Sequence, residues 1–177
     1  MLVSCAKTYV QPTSSFQLSE RGYLYDIDRW SFTGRVAFSD EKESFSSSIS
    51  WKHQQSQDEL EFVGPFGQGR TLIKLTDDSV VVDYGDKRMQ SVGNVDELVS
   101  RYTGIKMPVS ALKYWVLGLV TPDTEYVEIE NGFMQLGWTI KYQQMQAVEV
   151  LDLPRKIRVE KNKVKLKLII KDWDMQG

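Results

Sequence analysis

Histidine and cysteine each occur once in the 177 residues, at His53 and Cys5. A lone cysteine leaves no intramolecular disulfide. A lone histidine removes most metal sites and every Ser/His/Asp or Cys/His constellation not built on His53 itself. His53 falls in the polar stretch 52–59, which reads as a solvated turn, so catalysis is poorly supported and no metal or cofactor is expected. No run of 18 apolar residues exists, which excludes a membrane-crossing helix. Neither sign of charge dominates: 22 Lys and Arg face 24 Asp and Glu, for a net charge of −2, and the balance suggests no nucleic-acid partner. Internal repeats, linkers and low-complexity segments are also missing, so the chain reads as one domain.

What is present is periodicity. Apolar content of 41% and charged content of 26% suit an ordinary globule with a sizeable core. Residues 14–28, with Phe16, Leu18, Tyr23, Leu24 and Ile27, predict a helix. From residue 30 the period changes to two. Trp30, Phe32, Gly34, Val36 and Phe38 alternate with smaller or polar residues, then Phe45, Ser47, Ile49 and Trp51 do the same. Further strands are predicted over 59–63, 71–75, 80–84 and 87–92, each separated by a short turn. The period then becomes helical. Asn94 and Glu97 form a capping-box-like start, Leu98, Val99, Tyr102 and Ile105 follow, and Gly104 suits the end. Pro108 suits the first turn of a second helix with Val109, Leu112, Trp115, Val116 and Leu119 on one face, closed by Gly118. Strands resume over 126–129, 133–136 and 138–142, with Asn131-Gly132 as the clearest hairpin signal. Residues 148–151 are expected to pair at an edge, and 156–160 with 164–170 make the last hairpin.

Three segments carry chemistry. Leu2-Val3-Ser4-Cys5 has the form of a lipobox, the site at which a bacterial signal peptidase cuts before a lipidated cysteine, although only Met1 precedes it and a complete signal needs an apolar region there. Residues 1–13 then read as a lipobox remnant and tether, and 14–177 as the domain. The second segment is the loop Gly64-Pro65-Phe66-Gly67, set between two strands with Phe66 at its apex. Hairpin tips normally carry small polar residues. Phe66 therefore either folds back to plug the core or stands out as an apolar finger for a membrane, lipid or partner. The loop matches the bare GxxG of nucleic-acid clamps but lacks their helices and basic residues. The third segment is 155–171, with eight basic residues against the single Glu160, for +7 against −9 in the remainder. Lys163, Lys165 and Lys167 share one strand face there. They either blunt a sheet edge or attract anionic headgroups or an acidic partner.

Taken together, residues 30–37 (WSFTGRVA), Gly64-Pro65-Phe66-Gly67 with Thr71-Leu72, and the segment from Leu98 through Tyr102, Thr103, Gly104, Met107, Pro108, Leu112 and Trp115 to Gly118 resemble the outer-membrane lipoprotein receptor family LolB of Gram-negative bacteria. Gly137-Trp138, Leu153-Pro154 and Lys165-Leu166-Lys167 before Trp173 also fit, and Cys5 falls where that family's lipidated cysteine belongs. Phe66 replaces the leucine expected at the loop apex. The resemblance implies a mainly β, α+β fold: a half-open antiparallel barrel of about 11 strands, with short helices over its concave face and an apolar cavity between. It implies a monomeric receptor on the periplasmic face of the outer membrane, anchored by lipidated Cys5. Such a receptor takes acylated lipoproteins from the periplasmic carrier LolA and inserts them into the inner leaflet without ATP. The expected cavity lining is Trp30, Phe32, Val36, Phe38, Ile49, Trp51, Leu98, Tyr102, Leu112, Trp115, Val116 and Trp138. The competing expectation is an anchored structural or interaction lipoprotein whose barrel is filled and carries no cargo.

Overall fold

The computed structural model describes residues 15–64 and 69–175. Eleven strands form one antiparallel sheet: β1 (Arg29–Ser39), β2 (Ser44–Gln54), β3 (Gln57–Val63), β4 (Arg70–Leu75), β5 (Ser79–Asp83), β6 (Arg88–Val92), β7 (Tyr126–Ile129), β8 (Gly132–Gln135), β9 (Trp138–Val148), β10 (Leu151–Lys161) and β11 (Val164–Asp174). Their spatial order is β6-β5-β4-β3-β2-β1-β11-β10-β9-β8-β7. Two meanders are thus joined where the first strand pairs with the last, Val36 standing opposite Leu168. The outermost strands β6 and β7 do not pair with each other, so the sheet is open rather than a closed barrel.

Between those edges, in the chain, run α1 (Val95–Thr103) and α2 (Val109–Trp115). Asn94 caps α1 by accepting a hydrogen bond from the Glu97 amide at 3.0 Å, and Gly104 ends it in the left-handed conformation at φ 76°. Asp96 in the first turn accepts from the Ser110 amide and hydroxyl at 2.9 and 2.6 Å, which fixes the start of α2 against α1. The helices cover the inner face of the sheet. Strand alternation gives that face its apolar character, with Trp30, Phe32, Val36 and Phe38 of β1 buried and Thr33, Arg35 and Ala37 exposed between them.

Three expectations from sequence need correcting. Residues 14–28 do not form an α-helix; the described part contains two 3-10 turns, Leu18–Glu20 and Gly22–Asp26. Hydrogen bonds of the i to i+3 type link Leu18, Arg21, Leu24 and Ile27 in steps of three, which is the threefold repeat of that helix. Leu24 and Arg21 are consequently buried together. Residues 148–151 are not a short edge strand but the tip of the long β9–β10 hairpin, Leu151 pairing with Val148 around a turn with Glu149 at φ 54°. His53 is not in a solvated turn. The β2 alternation continues past Trp51, so His53 points inward, stacks on Trp30 at 5.1 Å and has its Nδ1 2.9 Å from Asp58 Oδ1. Asp58 Oδ1 also accepts from Trp51 Nε1 at 2.7 Å.

The strand registers sort the turns onto two rims. One rim carries the connections after β1, β3, β5, β8 and β10, because Ser39 pairs with Ser44, Val63 with Arg70, Asp83 with Arg88, Gln135 with Trp138 and Lys161 with Val164. The link between the helices lies near this rim, since the Tyr84 hydroxyl donates to the Tyr102 carbonyl at 2.7 Å.

Candidate functional site: an apolar cavity and its mouth

The inner face and the helix pair do not close perfectly on each other. A cavity remains between Val36, Ile49, Trp51, Leu60, Ile73 and Leu75 of the sheet and Val99, Ile105, Met107, Val109 and Leu112 of the helices and their link. Leu166 and Leu168 of β11 complete one wall, and Phe45 and Phe62 stand toward the rim. Every one of these side chains is apolar. The room left is about 50 Å³. A dry apolar void of about 150 Å³ takes a benzene molecule, about three times this room, so the helices close most of the space.

Phe45, Phe62, Ile73 and Ile105 also border a wider depression of about 340 Å³ beside the cavity. This mouth runs past Ser47, Thr71, Tyr84 and Thr103 to Gly64 and Gly69, where the chain enters and leaves the loop that bears Phe66. Burial raises the Tyr84 hydroxyl above its ordinary pKa, so it stays a neutral donor to the end of α1. Tyr102 turns its own hydroxyl to Ser91.

The other end of α2 is tied down. Trp115 Nε1 donates to Gln135 Oε1 at 3.0 Å, and the Trp115 carbonyl accepts from the Tyr142 hydroxyl at 2.7 Å. Desolvation drives the Tyr142 pKa upward. Tyr25 donates to the Val120 carbonyl at 2.7 Å, and Arg21 to Leu117 at 2.5 Å. Burial lowers the Arg21 pKa, and its Nε has no hydrogen-bond partner among the described residues.

Of the twelve side chains expected around the cavity, Val36, Ile49, Trp51 and Leu112 border it. Trp30 and Phe32 instead form an aromatic cluster with Trp51 and Trp173. Phe38 stacks on Phe45 at 5.4 Å. Leu98, Trp115 and Val116 are packed core, Tyr102 is half-buried, and Trp138 lies near Trp115 under the Lys161 ammonium. Leu60, Phe62, Ile73, Leu75, Leu166 and Leu168 border the cavity as well, beyond the residues expected from sequence. Their alternation marked the inner face, but nothing in a strand pattern says which inward residues border a void. Of the basic face, Lys163 sits in the β10–β11 turn paired with Glu41, while Lys165 and Lys167 lie on the outer side of β11. Cys5, Pro65, Phe66 and Gly67 lie outside the described residues, and Gly64 lies at the mouth.

The family model described as outer membrane lipoprotein LolB matches residues 28–173. An outer-membrane lipoprotein LolB of Chromohalobacter salexigens is 30% identical, the match covering 99% of this chain and 86% of that protein. Its counterpart from Vibrio campbellii is 28% identical over 99% of this chain and 92% of its own. Among solved structures, a LolA superfamily protein from Nitrosomonas europaea superposes with a TM-score of 0.54, covering 86% of this chain and 88% of its own at 8% identity. That likeness is one of fold. Among the described residues, no helix is long and apolar enough to cross a membrane.

Proposed function

This chain belongs to the LolB family of outer-membrane lipoproteins, and from that premise we propose that it is a receptor that takes acylated lipoproteins from a periplasmic carrier of the LolA type and inserts them into the outer membrane. The observation that carries this reading is the all-apolar cavity between sheet and helices, which shares Phe45, Phe62, Ile73 and Ile105 with a mouth bordered by Gly64 and Gly69. Acyl chains enter at that mouth. Each buried CH₂ contributes about 0.8 kcal/mol, so transfer runs downhill between apolar sites and needs no ATP. Room for the chains comes from lifting the helix link at Ile105 and Met107, because the Trp115 end of α2 is held by Gln135, Tyr142, Arg21 and Tyr25. Lipidated Cys5 anchors the monomer at the periplasmic face, and Phe66 is the finger that reaches the bilayer and releases the cargo. The role is binding and transfer, not catalysis.

The narrowness of the cavity, about 50 Å³, favours a second reading in which the barrel is filled and the protein is an anchored structural or interaction lipoprotein. A transfer assay separates the two. The soluble chain is mixed with carrier loaded with triacylated lipoprotein, beside the same cargo without acyl chains. Movement of the acylated cargo alone establishes the receptor; no movement of either, with the protein folded, establishes the filled barrel. Phe66→Glu is expected to accept cargo normally and to lose membrane delivery, and normal incorporation by that variant would refute the finger.

A further inference from the structure

The outer face of the sheet handles charge in two different ways. On β2 to β4, opposite signs alternate across the strands: Lys52 faces Glu59, Glu59 faces Lys74 at 2.9 Å between charged atoms, and Arg70 meets Glu61 at 2.9 Å. On β9 to β11 the alternation stops. Lys167 faces Arg158, and Arg158 faces Lys141, three cations in one row. Adjacent strands lie about 4.8 Å apart, and like charges directly opposite each other destabilise a sheet. In the neighbouring rows Arg35 and Lys156 flank Ile169, and Lys165 faces Glu160. Glu160 lies beside the cation row, 3.7 Å from Arg158 Nε. None of the ion pairs among the described residues reaches Lys141, Lys156, Lys165 or Lys167. Beside the row, Ala37, Ser39, Ser44 and Ser46 line a shallow trough of about 480 Å³ together with Arg158, Lys165 and Lys167 and the one carboxylate of its lining, Glu160.

We propose that this face is an electrostatic dock for the phosphate headgroups of an anionic bilayer. The trough offers hydroxyls and three cations against the single carboxylate of Glu160, at a size that admits phosphate groups. It reaches the rim at which Val63 pairs with Arg70, so a bilayer at that rim meets the trough. The choice of that bilayer rests on the receptor reading. A protein partner fits less well, because protein interfaces concentrate their energy in buried aromatic and apolar anchors, and the exposed Met134 and Val127 lie at the far end of the row of Lys165 and Glu160, separated from the cations by Thr139. Attraction to a fluid charged surface needs no anchor. It adds up per cation, about fivefold in partitioning for each, or about 1 kcal/mol.

The test uses the full chain with Cys5→Ser, sedimented with vesicles of phosphatidylglycerol and phosphatidylethanolamine or of phosphatidylcholine alone. Binding is expected to the anionic vesicles only, and to fall as NaCl rises from about 50 to about 500 mM. The variant Lys141→Gln/Arg158→Gln/Lys167→Gln is expected to bind at least about tenfold more weakly, with a thermal midpoint equal to or above that of the parent because the repulsion is relieved. A control of equal charge, Lys52→Gln/Lys74→Gln/Lys113→Gln, is expected to retain most of the binding. Equal losses in the two variants, or none, would overturn the dock. So would a row variant that binds vesicles normally but no longer takes cargo from the carrier, since the face would then serve an acidic protein. Vesicle binding involves no cargo, so failure of the transfer assay leaves this result standing, and the converse also holds.

Discussion

A methyl group added at Gly34 would place its carbon 2.3 Å from the Ile169 carbonyl oxygen, closer than any real contact. Gly34 sits where the β1–β11 register shifts, after Thr33 opposite Asp172, and only a residue without a side chain lets β11 approach there. Gly34→Ala is therefore expected to cost about 1–3 kcal/mol, measured as a lower denaturation midpoint at unchanged slope. Gly118 is similar in kind. It holds φ 81° and would put a carbon 2.5 Å from Arg21 Nε, so the contact between the 3-10 segment and the end of α2 depends on it. Neither requirement could be read from alternation, in which Gly34 merely occupies an inward position. His53 teaches the same lesson from the other side. Its polar neighbours suggested solvent, but the strand period carried it inward onto Asp58, where a carboxylate makes burial tolerable.

Turns decide local pH behaviour. In the β1–β2 turn, Asp40 accepts hydrogen bonds from the Lys42 and Glu43 amides at 2.7 and 2.8 Å, which hold its carboxyl below the usual range. A lowered folded pKa gives stability that is complete above the ordinary carboxylate value, near pH 4, and is lost as pH falls through the folded value. Asp40→Asn is thus expected to flatten the fall of thermal midpoint with pH below about pH 4, with no change in slope near neutrality. Glu61 acts in the same direction through its hydrogen bond with Arg70 and keeps the remaining acid sensitivity. Among larger elements, the helix pair was legible almost to its boundaries, because Asn94, Gly104 and Pro108 punctuate it chemically. The segment at 14–28 was not. Its spacing of three fits an α-helix loosely and a 3-10 helix well, and the backbone hydrogen bonds decide between them.

Across the molecule, one rim of the sheet bears the cavity mouth and the cation row, while side-chain hydrogen bonds anchor the end of α2 away from the helix link. On the receptor reading proposed above, cargo entry depends on space that the closed helix pair nearly removes. Val109 borders that space from α2. Val109→Phe is expected to fill it, leaving the thermal midpoint within a few degrees of the parent and abolishing uptake of acylated cargo in the transfer assay. Uptake at the parent rate by a folded variant would show that acyl chains do not use this cavity.

By itself, the chain's alternation of apolar and polar residues determined most of the strands, the two helices between residues 95 and 115 and the inward face of the long strands, because a period of two or of 3.6 is a local consequence of backbone geometry. It also determined the excess of lysine and arginine in 155–171. Only the tertiary structure decided that β1 pairs with β11, that the inward residues nearest Ile105 and Met107 border a void while Trp30 and Phe32 are packed solid, and that Lys141 and Arg158 extend the cation row. Those outcomes depend on register and on how closely two layers approach, and both join residues far apart in the chain, where no local pattern can specify them.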